Sequence, residues 1–501
     1  MLDSLATSLV LILEWENLLA MVGGTILGIC IGALPGLSAT MGIAILIPLT
    51  FGLHPLVGLG MMAGIYNGAM YGGAIPSILL RIPGTPASVA TILDGGPMSD
   101  QGRAPLALKI AVVSSAIGGI ASAVALITLA PPLSRVTLAF GPADYFWVAF
   151  FGLASIAVLV GNDPWKGIVA AAIGLLIGMV GIDTVSGAGR LTFGQSELTG
   201  GFHIVVVLIG LFGIPPTLRL AERAVRERKP VQEARLDLAQ SERVPYRLLW
   251  PTWLRSSLIG VVVGILPGAG GNMASFMSYN EAKRASKTPE RFGHGAEEGV
   301  AAAECGNNAD NAAALVPALT LGIPGSSVSA VILGGLLVHG LQPGPALFRD
   351  SGEIVYGFML QMLITAALLI VLGGYLGSRV FVKILKLPPL LLIPIVFSLT
   401  IVGVYSVNNS MFDVFLLLAF AVVGVFLDRM QYPLAPVVLG VVLGTMAESN
   451  LRLALLIGQG EWSALVARPL SMGLAAITLL AVISPILKVV RQRLKARAAA
   501  H

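Results

Sequence analysis

Long uncharged apolar runs alternate with short polar segments along this chain. The first run, 17–80, contains no Asp, Glu, Lys or Arg. A helix needs roughly 20 apolar residues to cross the hydrocarbon core of a bilayer, so a run of this length holds several segments. None of the runs carries the charged stripe of a soluble amphipathic helix. The pattern predicts an all-α polytopic membrane protein with roughly eleven to thirteen membrane segments. The other uncharged runs cover 110–134, 198–218, 256–280, 311–348, 354–378, 387–412 and 469–487.

Basic residues are concentrated in two segments, and their positions predict the orientation. The segment 219–247 carries eight basic and five acidic residues, and the tail 488–501 carries five basic residues and no acid. Both are expected in the cytoplasm, because cytoplasmic loops are enriched in Lys and Arg. The first 80 residues contain neither Lys nor Arg, which predicts an N-terminus outside. The formal charge of +5 is therefore a signal of topology. No basic patch is interleaved with aromatic residues as in a nucleic-acid-binding protein.

The two halves of the chain repeat one pattern. The stretch GICIGALPGLSA at 28–39 aligns with GVVVGILPGAGG at 260–271. Further on, IPGTPASVATIL at 82–93 aligns with IPGSSVSAVIL at 323–333. The shift grows from 232 to 241 residues because the second copy has a longer polar insert between the two stretches. The halves are therefore copies joined by the basic segment.

The predicted orientation makes these copies an inverted-topology repeat. The first copy starts from the outside and the second from the cytoplasm, so equivalent segments cross the membrane in opposite directions. The chain is accordingly divided into an N-terminal interfacial segment (1–16), membrane repeat 1 (17–217), a basic cytoplasmic linker (218–249), membrane repeat 2 (250–465) and a final membrane helix with its basic cytoplasmic tail (466–501).

Each copy contains two helix breaks, LPG and IPG, at corresponding places. Proline removes a backbone donor and glycine weakens a helix, and open backbone within a bilayer must be buried in protein or line a cavity. A single break could be an ordinary kink, but four breaks in register across two copies favour a binding site. The sequence leaves open whether each IPG run is a re-entrant tip or the unwound midpoint of a crossing helix.

The residues around the IPG breaks suit an anion. Hydroxyls and free N–H groups at the start of a half-helix converge on a negative charge. The predicted substrate-binding residues are Asn67, Pro83, Gly84, Thr85, Pro86, Ser88, Gly325, Ser326, Ser327 and Ser329.

The segment ECGNNADNAAALVP at 304–317 supplies oxygens that suit a hard cation such as sodium. Its acids, Glu304 and Asp310, could instead lie in the polar insert at the surface. Arg81, beside the first IPG break, could pair with a substrate carboxylate or serve as a snorkelling or structural arginine. The histidines have no partner at metal-ligand spacing, so no metal beyond sodium is expected. The predicted coupling-ion residues are Gly36, Gly268, Asn307, Asn308, Asp310 and Asn311.

Three stretches of the chain resemble the large membrane subunit of the tripartite tricarboxylate transporters. They are GALPGLSATMGIAILIPLTF (32–51), GMMAGIYNGAMYGGAIPSILLRIPGTPASVATILDGGPM (60–98) and AAAECGNNADNAAALVPALTLGIPGSSVSAVILGGLLVHGLQPGP (301–345). The resemblance covers nearly the whole chain. It implies a bacterial inner-membrane secondary transporter for carboxylates, driven by a sodium or proton gradient and without another cofactor. It also implies two partners, a small membrane subunit and a periplasmic solute-binding protein that delivers the substrate.

The expected mechanism is alternating access around a midplane site, with an elevator-like movement of the broken-helix core against a scaffold. A passive anion channel is the main alternative, since broken helices also build selectivity filters. An intramembrane enzyme is disfavoured because the chain has neither an HExxH motif nor a nucleophile elbow. No catalytic residues are therefore expected. Tricarboxylates such as citrate, dicarboxylates and aromatic acids all remain open as substrates.

Overall fold

The computed structural model describes residues 2–34, 36–159, 164–183, 187–226, 242–374 and 389–498. Pro35 of the first LPG break, most of the basic linker and the last three residues of the tail lie outside these ranges. In the first half the elements are α1 (Leu2–Ile12), α2 (Trp15–Ala33), α3 (Ala39–Thr50), α4 (Pro55–Gly72), α5 (Ala74–Leu79), α6 (Val89–Asp100), α7 (Ala104–Thr137), α8 (Pro142–Leu159), α9 (Pro164–Gly178), β1 (Gly181–Ile182), β2 (Gly189–Arg190), α10 (Ile204–Phe212) and α11 (Ile214–Arg226). In the second half they are α12 (Tyr246–Ile265), α13 (Gly270–Ala285), α14 (Glu297–Ala313), α15 (Leu315–Leu321), α16 (Ser327–Val338), α17 (Pro345–Asp350), α18 (Gly352–Leu369), α19 (Pro389–Asn408), α20 (Met411–Arg429), α21 (Leu434–Ile457) and α22 (Pro469–Ala498).

The apolar runs fold into helices of two length classes. Seven helices in the described ranges are long and apolar enough to cross a membrane, whereas the apolar helices α3, α9 and α16 have only 10–17 residues. The short helices α3 and α16 begin within three residues of the first LPG break and the second IPG break, respectively. The two short strands pair as an antiparallel hairpin between α9 and α10. The prediction of an all-α polytopic membrane protein is confirmed.

Equivalent helices of the two halves make the same close backbone contacts. A Cβ atom placed on Gly28 of α2 would lie 2.5 Å from the carbonyl oxygen of Ile65 on α4. A Cβ atom placed on the aligned Gly260 of α12 would lie 2.6 Å from the carbonyl oxygen of Gly306 on α14. Small residues at four-residue spacing let helix backbones approach this closely. The glycine stripes therefore pack α2 on α4 and α12 on α14.

The long helices α7 and α18 occupy equivalent places in the two halves and run antiparallel where they touch. Gly119 of α7 faces Ala366 of α18, whereas Val112, nearer the start of α7, faces Gly373, just beyond the end of α18. Each of the two also packs across the halves, α7 on α14 and α18 on α4. Each half thus contributes one long helix that packs against the other half.

Both IPG breaks are re-entrant reversals. The chain turns back at Arg81 and at the aligned Gly322, which have left-handed φ angles of 55° and 74°. After the first turn it runs back beside the helix it has just left, so that Thr85 contacts Gly73. Ser88 then starts the return, and its hydroxyl accepts a hydrogen bond from Ser77 at 2.9 Å. Of the two geometries that the sequence leaves open, the structure has the re-entrant one.

The peripheral helices, α8–α11 and α19–α22, pack largely on one another, and helices α2–α7 and α12–α18 form the broken-helix core. The helix α21 packs on α8 and α9, α10 on α20, and α22 on α8. The closest approach is at Gly174 of α9, where a Cβ atom would lie 1.9 Å from the carbonyl oxygen of Val437. Their contacts with the broken-helix core include those of α16 with α10 and α21. The second re-entrant element therefore borders the peripheral helices.

Candidate functional site

The two re-entrant tips, residues 83–88 (the first tip) and 324–329 (the second tip), lie against the opposite half of the molecule. The first tip contacts α13 and α14, and α16, which starts in the second tip, contacts α3 and α4. Pro83 and Pro86 are exposed, whereas Gly84, Thr85 and Ser88 are buried. The fold brings the predicted substrate-binding residues together with the polar residues of the other copy.

The second tip is closed by reciprocal hydrogen bonds. The Ser326 amide donates to the Ser329 hydroxyl at 2.8 Å, and the Ser329 amide donates to the Ser326 hydroxyl at 3.2 Å. This is the capping-box geometry that satisfies free donors at a helix start. The Ser326 hydroxyl lies 3.4 Å from the Tyr66 hydroxyl of α4, and the Ser327 hydroxyl lies 3.3 Å from Thr40 of α3. Ser326 and Ser327 are thus the residues that the second tip presents to the first half.

The first tip has a similar backbone arrangement but leaves one hydroxyl without a partner. The Thr85 amide donates to the Ser88 hydroxyl at 3.2 Å. The Ser88 amide donates to the Thr85 carbonyl at 3.1 Å. The Thr85 hydroxyl oxygen is buried beside the Ser88 amide in a capping-box arrangement, but it makes no hydrogen bond of normal geometry. Ser88 is used within the tip, whereas the Thr85 hydroxyl is available to a ligand.

A continuous polar cluster lies on α14. Its side chains are at most 1% exposed, so the surface location considered for the acids is not the one observed. Charged and amide groups enclosed in a membrane protein are costly unless paired, and they commonly mark ion or substrate pathways. The members are Glu304, Asn307, Asn308, Asp310 and Asn311.

Part of this cluster is satisfied by internal hydrogen bonds. Asn311 donates to the Asn67 carbonyl oxygen of α4 at 3.0 Å, and Asn67 donates to Thr365 of α18 at 2.9 Å. Glu304 accepts hydrogen bonds from Thr91 at 2.5 Å and from Ser115 at 3.0 Å. Asn67 and Glu304 therefore tie the two halves together through contacts that are already complete.

Four other oxygens of the cluster have no hydrogen-bond donor. Both Asp310 carboxylate oxygens and the side-chain carbonyl oxygens of Asn307 and Asn311 are buried without a hydrogen-bond partner of normal geometry, and the Gly271 backbone is the polar group that interacts with the Asp310 carboxylate. A buried acceptor without a partner costs about 1–3 kcal/mol, more if charged. Such a set suits a bound cation, which would be coordinated by oxygen atoms. Among the described residues, no group of three or more His, Cys, Asp or Glu side chains is arranged to hold a metal ion.

Glycine residues at and just after the second LPG break leave space for the polar side chains of α14. The Gly268 amide donates to the Gly325 carbonyl at 2.9 Å, which joins the LPG loop to the second tip. A Cβ atom on Gly271 would lie 2.7 Å from the Asn307 carbonyl oxygen. Gly268 is buried, while its counterpart Gly36 is exposed. The LPG loop of the second half is therefore the one that borders the unpaired oxygens.

Repeat alignment reveals a difference between the two tips. Tyr66 aligns with Asn307, and Ser326 aligns with Thr85. Tyr66 reaches Ser326. Asn307 is shorter than the aligned Tyr66 and makes no hydrogen bond with Thr85. The Asn307 side-chain carbonyl oxygen and the Thr85 hydroxyl are therefore both left unpaired. This asymmetry places the unsatisfied polar groups on the side of the first tip.

Sequence reasoning missed Tyr66, Thr40 and Gly271 as neighbours of the site. The repeat held a signal for Tyr66, because it aligns with Asn307. Arg81, considered as a partner for a substrate carboxylate, instead forms an ion pair with Asp100 in which both side chains are more than half exposed. Arg81 therefore has a structural role at the reversal of the chain.

Asp94 of α6 fastens the first re-entrant element to the second half. One carboxylate oxygen accepts hydrogen bonds from the amides of Gly293, Gly295 and Ala296 at 2.8–2.9 Å. We expect Asp94→Ala to lower stability by roughly 3 kcal/mol, because it leaves buried amides unpaired. The measurement is the thermal unfolding midpoint in detergent. The control Asp100→Ala removes an exposed ion pair worth about 1 kcal/mol or less. Equal midpoints for the two variants would contradict this role for Asp94.

Comparison with known proteins places the chain beside transport proteins. The family described as "Tripartite tricarboxylate transporter TctA family" matches residues 18–439. An uncharacterised 52.8 kDa protein of the TAR-I ttuC' 3' region in Agrobacterium vitis is 37% identical over 471 residues, which are 94% of this chain and 93% of that protein. An uncharacterised protein of the TAR-II ttuC' 3' region in the same organism is 38% identical over 234 residues, which are 47% of this chain and 96% of that protein. No solved structure matches the chain significantly.

Proposed function

Since the chain belongs to the tripartite tricarboxylate transporter TctA family, we propose that it is a membrane subunit that takes up carboxylates by coupling them to an ion gradient. The observation that carries the proposal is a buried set of unpaired oxygens on α14, which the first hydroxyl-bearing tip contacts directly and which the LPG loop joined to the second tip borders. Hydroxyls and helix starts suit the carboxylate, and the unpaired oxygens suit the coupling cation.

The carboxylate site comprises the two tips. Thr85, Ser326 and Ser327 donate hydroxyl hydrogen bonds to the substrate, while Gly84 and Gly325 allow the backbone to approach closely. Ser88 and Ser329 hold the tips in shape, in keeping with their contacts within the tips. Citrate and related di- or aromatic carboxylates are the substrate class.

The coupling ion binds beside the first tip, among the oxygens of Asn307, Asp310 and Asn311. Sodium would be coordinated there by carboxylate and amide oxygens, and a proton would reside on Asp310. Asn308 and Gly268 support this site from α14 and the LPG loop. No further cofactor is needed.

The transport cycle is alternating access. The antiparallel packing of α7 and α18 supports an inverted-topology repeat, an architecture in which one bundle moves against another around a midplane site. The broken-helix core moves in an elevator-like manner against α8–α11 and α19–α22. The chain resides in the bacterial inner membrane with its N-terminus outside and its C-terminus in the cytoplasm. A periplasmic solute-binding protein delivers the substrate, and a small membrane subunit completes the transporter.

The tip hydroxyls provide the test of the carboxylate site. Thr85→Ala and Ser326→Ala are expected to lower uptake at least about tenfold at limiting substrate, the effect of losing roughly 1.4 kcal/mol of binding. Initial uptake rates and membrane expression are measured together. Ser449→Ala, which removes a hydroxyl that donates to a carbonyl within its own helix, is the control. Unchanged uptake in both tip variants would refute the site.

Concentrative uptake distinguishes a transporter from a passive anion channel. Proteoliposomes containing this chain and its partners should accumulate labelled carboxylate above the external concentration when an ion gradient is applied. Accumulation should collapse when the gradient is dissipated. Equilibration that does not depend on the gradient would establish a channel instead.

A further inference from the structure

A groove with a volume of about 610 Å³ lies between α12 and α13, and no tip residue lines it. Arg255, Leu258 and Ile259 line it from α12, and its α13 side is formed by Met277, Asn280, Glu281 and Arg284. The two helices are consecutive and joined by the LPG loop, so they form an antiparallel hairpin. Apolar side chains thus line one part of the groove and charged side chains another.

The α12 side of the groove belongs to the lipid-facing surface. Leu254, Leu258 and Val262 are 64%, 67% and 53% exposed and follow one another at helical spacing around Arg255. Exposed leucine and valine at this density are expected where a helix faces acyl chains. Tyr246 and Trp250, nearer the start of α12, are also exposed, and such aromatic residues concentrate at the level of the lipid headgroups. The groove therefore lies just below the membrane interface.

Arg255 lacks a partner within the described chain. Its Nε atom is buried and makes no hydrogen bond. An arginine at this position is costly unless an anion or water satisfies it. A lipid phosphate, which accepts paired hydrogen bonds from a guanidinium, is such an anion.

The α13 side of the groove contributes the carboxylate of Glu281, which limits the kinds of headgroup that can bind there. Glu281 accepts a hydrogen bond from Arg284 Nε at 3.0 Å. A purely anionic headgroup would meet repulsion from Glu281, whereas a headgroup with both charges complements the lining. Its phosphate would face Arg255, and a primary ammonium would face the Asn280 side-chain carbonyl oxygen and Glu281 Oε1, since Arg284 contacts only Oε2.

We propose that this groove binds an aminophospholipid, with the phosphate on Arg255, the ammonium on Glu281 and an acyl chain along Leu258 and Met277. The linker adjoining α12 assigns the lipid to the cytoplasmic leaflet. The first half lacks the feature, because Gly23 aligns with Arg255 and a Cβ atom there would have no neighbour within 4 Å. The site is thus specific to the second half.

Native mass spectrometry of the purified full-length chain tests the proposal. The protein is exchanged into equal mixtures of phosphatidylethanolamine with phosphatidylcholine, whose ammonium carries no hydrogen, or with phosphatidylglycerol, which has no ammonium. We expect phosphatidylethanolamine to be retained at least about fivefold over each competitor, equivalent to roughly 1 kcal/mol. Arg255→Gln should abolish retention of all three lipids, and Glu281→Gln should abolish only the preference for phosphatidylethanolamine.

The control variant is Arg349→Gln, which removes an exposed arginine outside the groove and should leave retention unchanged. Arg255→Lys keeps a positive charge and should retain more lipid than Arg255→Gln. This difference shows that Arg255→Gln loses lipid because the charge is missing and not because the protein is misfolded. Equal retention of the three lipids by the wild-type chain would overturn the proposal. Release of a co-purified polypeptide by Arg255→Gln, with lipid retention unchanged, would also overturn it and identify a protein partner. None of these measurements depends on transport.

Discussion

Asp310→Asn is expected to abolish ion-coupled uptake while the protein still inserts and folds. The carboxylate is 1% exposed and neither oxygen has a hydrogen-bond partner of normal geometry. Asparagine has nearly the same shape but cannot carry the negative charge that balances a cation. Loss of roughly 3 kcal/mol of ion affinity would reduce uptake by about a hundredfold at limiting ion concentration. The measurement is the initial uptake rate in proteoliposomes, with sodium varied at constant pH and pH varied at constant sodium.

Two comparisons isolate the effect of Asp310. Asp350→Asn removes a carboxylate that is paired with Arg349 at the exposed surface, and its uptake should match that of the wild-type chain. The thermal midpoint of Asp310→Asn in detergent should be at least as high as that of Asp350→Asn, because removing an unpaired buried charge relieves a desolvation cost. Wild-type dependence on sodium and pH in Asp310→Asn would exclude this carboxylate from coupling. If Asp310→Asn lowers uptake but keeps the wild-type dependence on sodium and pH, the carboxylate acts in substrate binding and not in ion coupling.

Gly28→Ala is expected to cause a large loss of stability for a single added methyl group. The new Cβ atom would lie 2.5 Å from the Ile65 carbonyl oxygen and 2.8 Å from the Ile65 Cα atom. Both are backbone atoms, so α2 and α4 must separate, and overpacking of this kind costs about 1–3 kcal/mol. The lowered midpoint should be visible by thermal unfolding in detergent and as reduced monodisperse yield.

The same helix supplies the matched control. Gly23 has no atom within 4 Å of its Cβ position, so Gly23→Ala should be neutral or slightly stabilising, since alanine favours a helix over glycine by about 1 kcal/mol. Gly260→Ala, the aligned change in the second half, should reproduce the defect of Gly28→Ala. A Gly28→Ala protein as stable as Gly23→Ala would contradict the close packing of the two helices.

The sequence predicted where the helix breaks and the polar residues of the site lie, but it did not predict which of these residues are hydrogen-bonded. Thr85 and Ser88 are equivalent as hydroxyls beside a proline, yet Ser88 is used up by Thr85 and Ser77 while the Thr85 hydroxyl stays free. Asn67 and Asn311 carry the same functional group, and only their mutual contact shows that the Asn67 carbonyl oxygen is already satisfied. Hydrogen-bond satisfaction depends on which groups meet in space, and adjacency in sequence does not report it.

Residues from the opposite half were the hardest to anticipate. Tyr66 and Ser326 are separated by 260 positions, and their contact exists because α4 of one copy packs beside the tip of the other. Glu304 is likewise satisfied by Thr91 and Ser115 of the first half. Periodicity and motif spacing describe local structure, so they carry little information on such contacts.

The sequence alone determined the all-α membrane class and the positions of the breaks, and it predicted the duplication. These follow from local physics, because a bilayer demands long apolar helices and proline and glycine interrupt them wherever they fall. Only the tertiary structure decided that the IPG runs are re-entrant, that Asp310 is buried and unpaired, and that Arg81 is held by Asp100. Those features depend on burial and on partners distant in the chain, which come into being only when the two copies pack against each other.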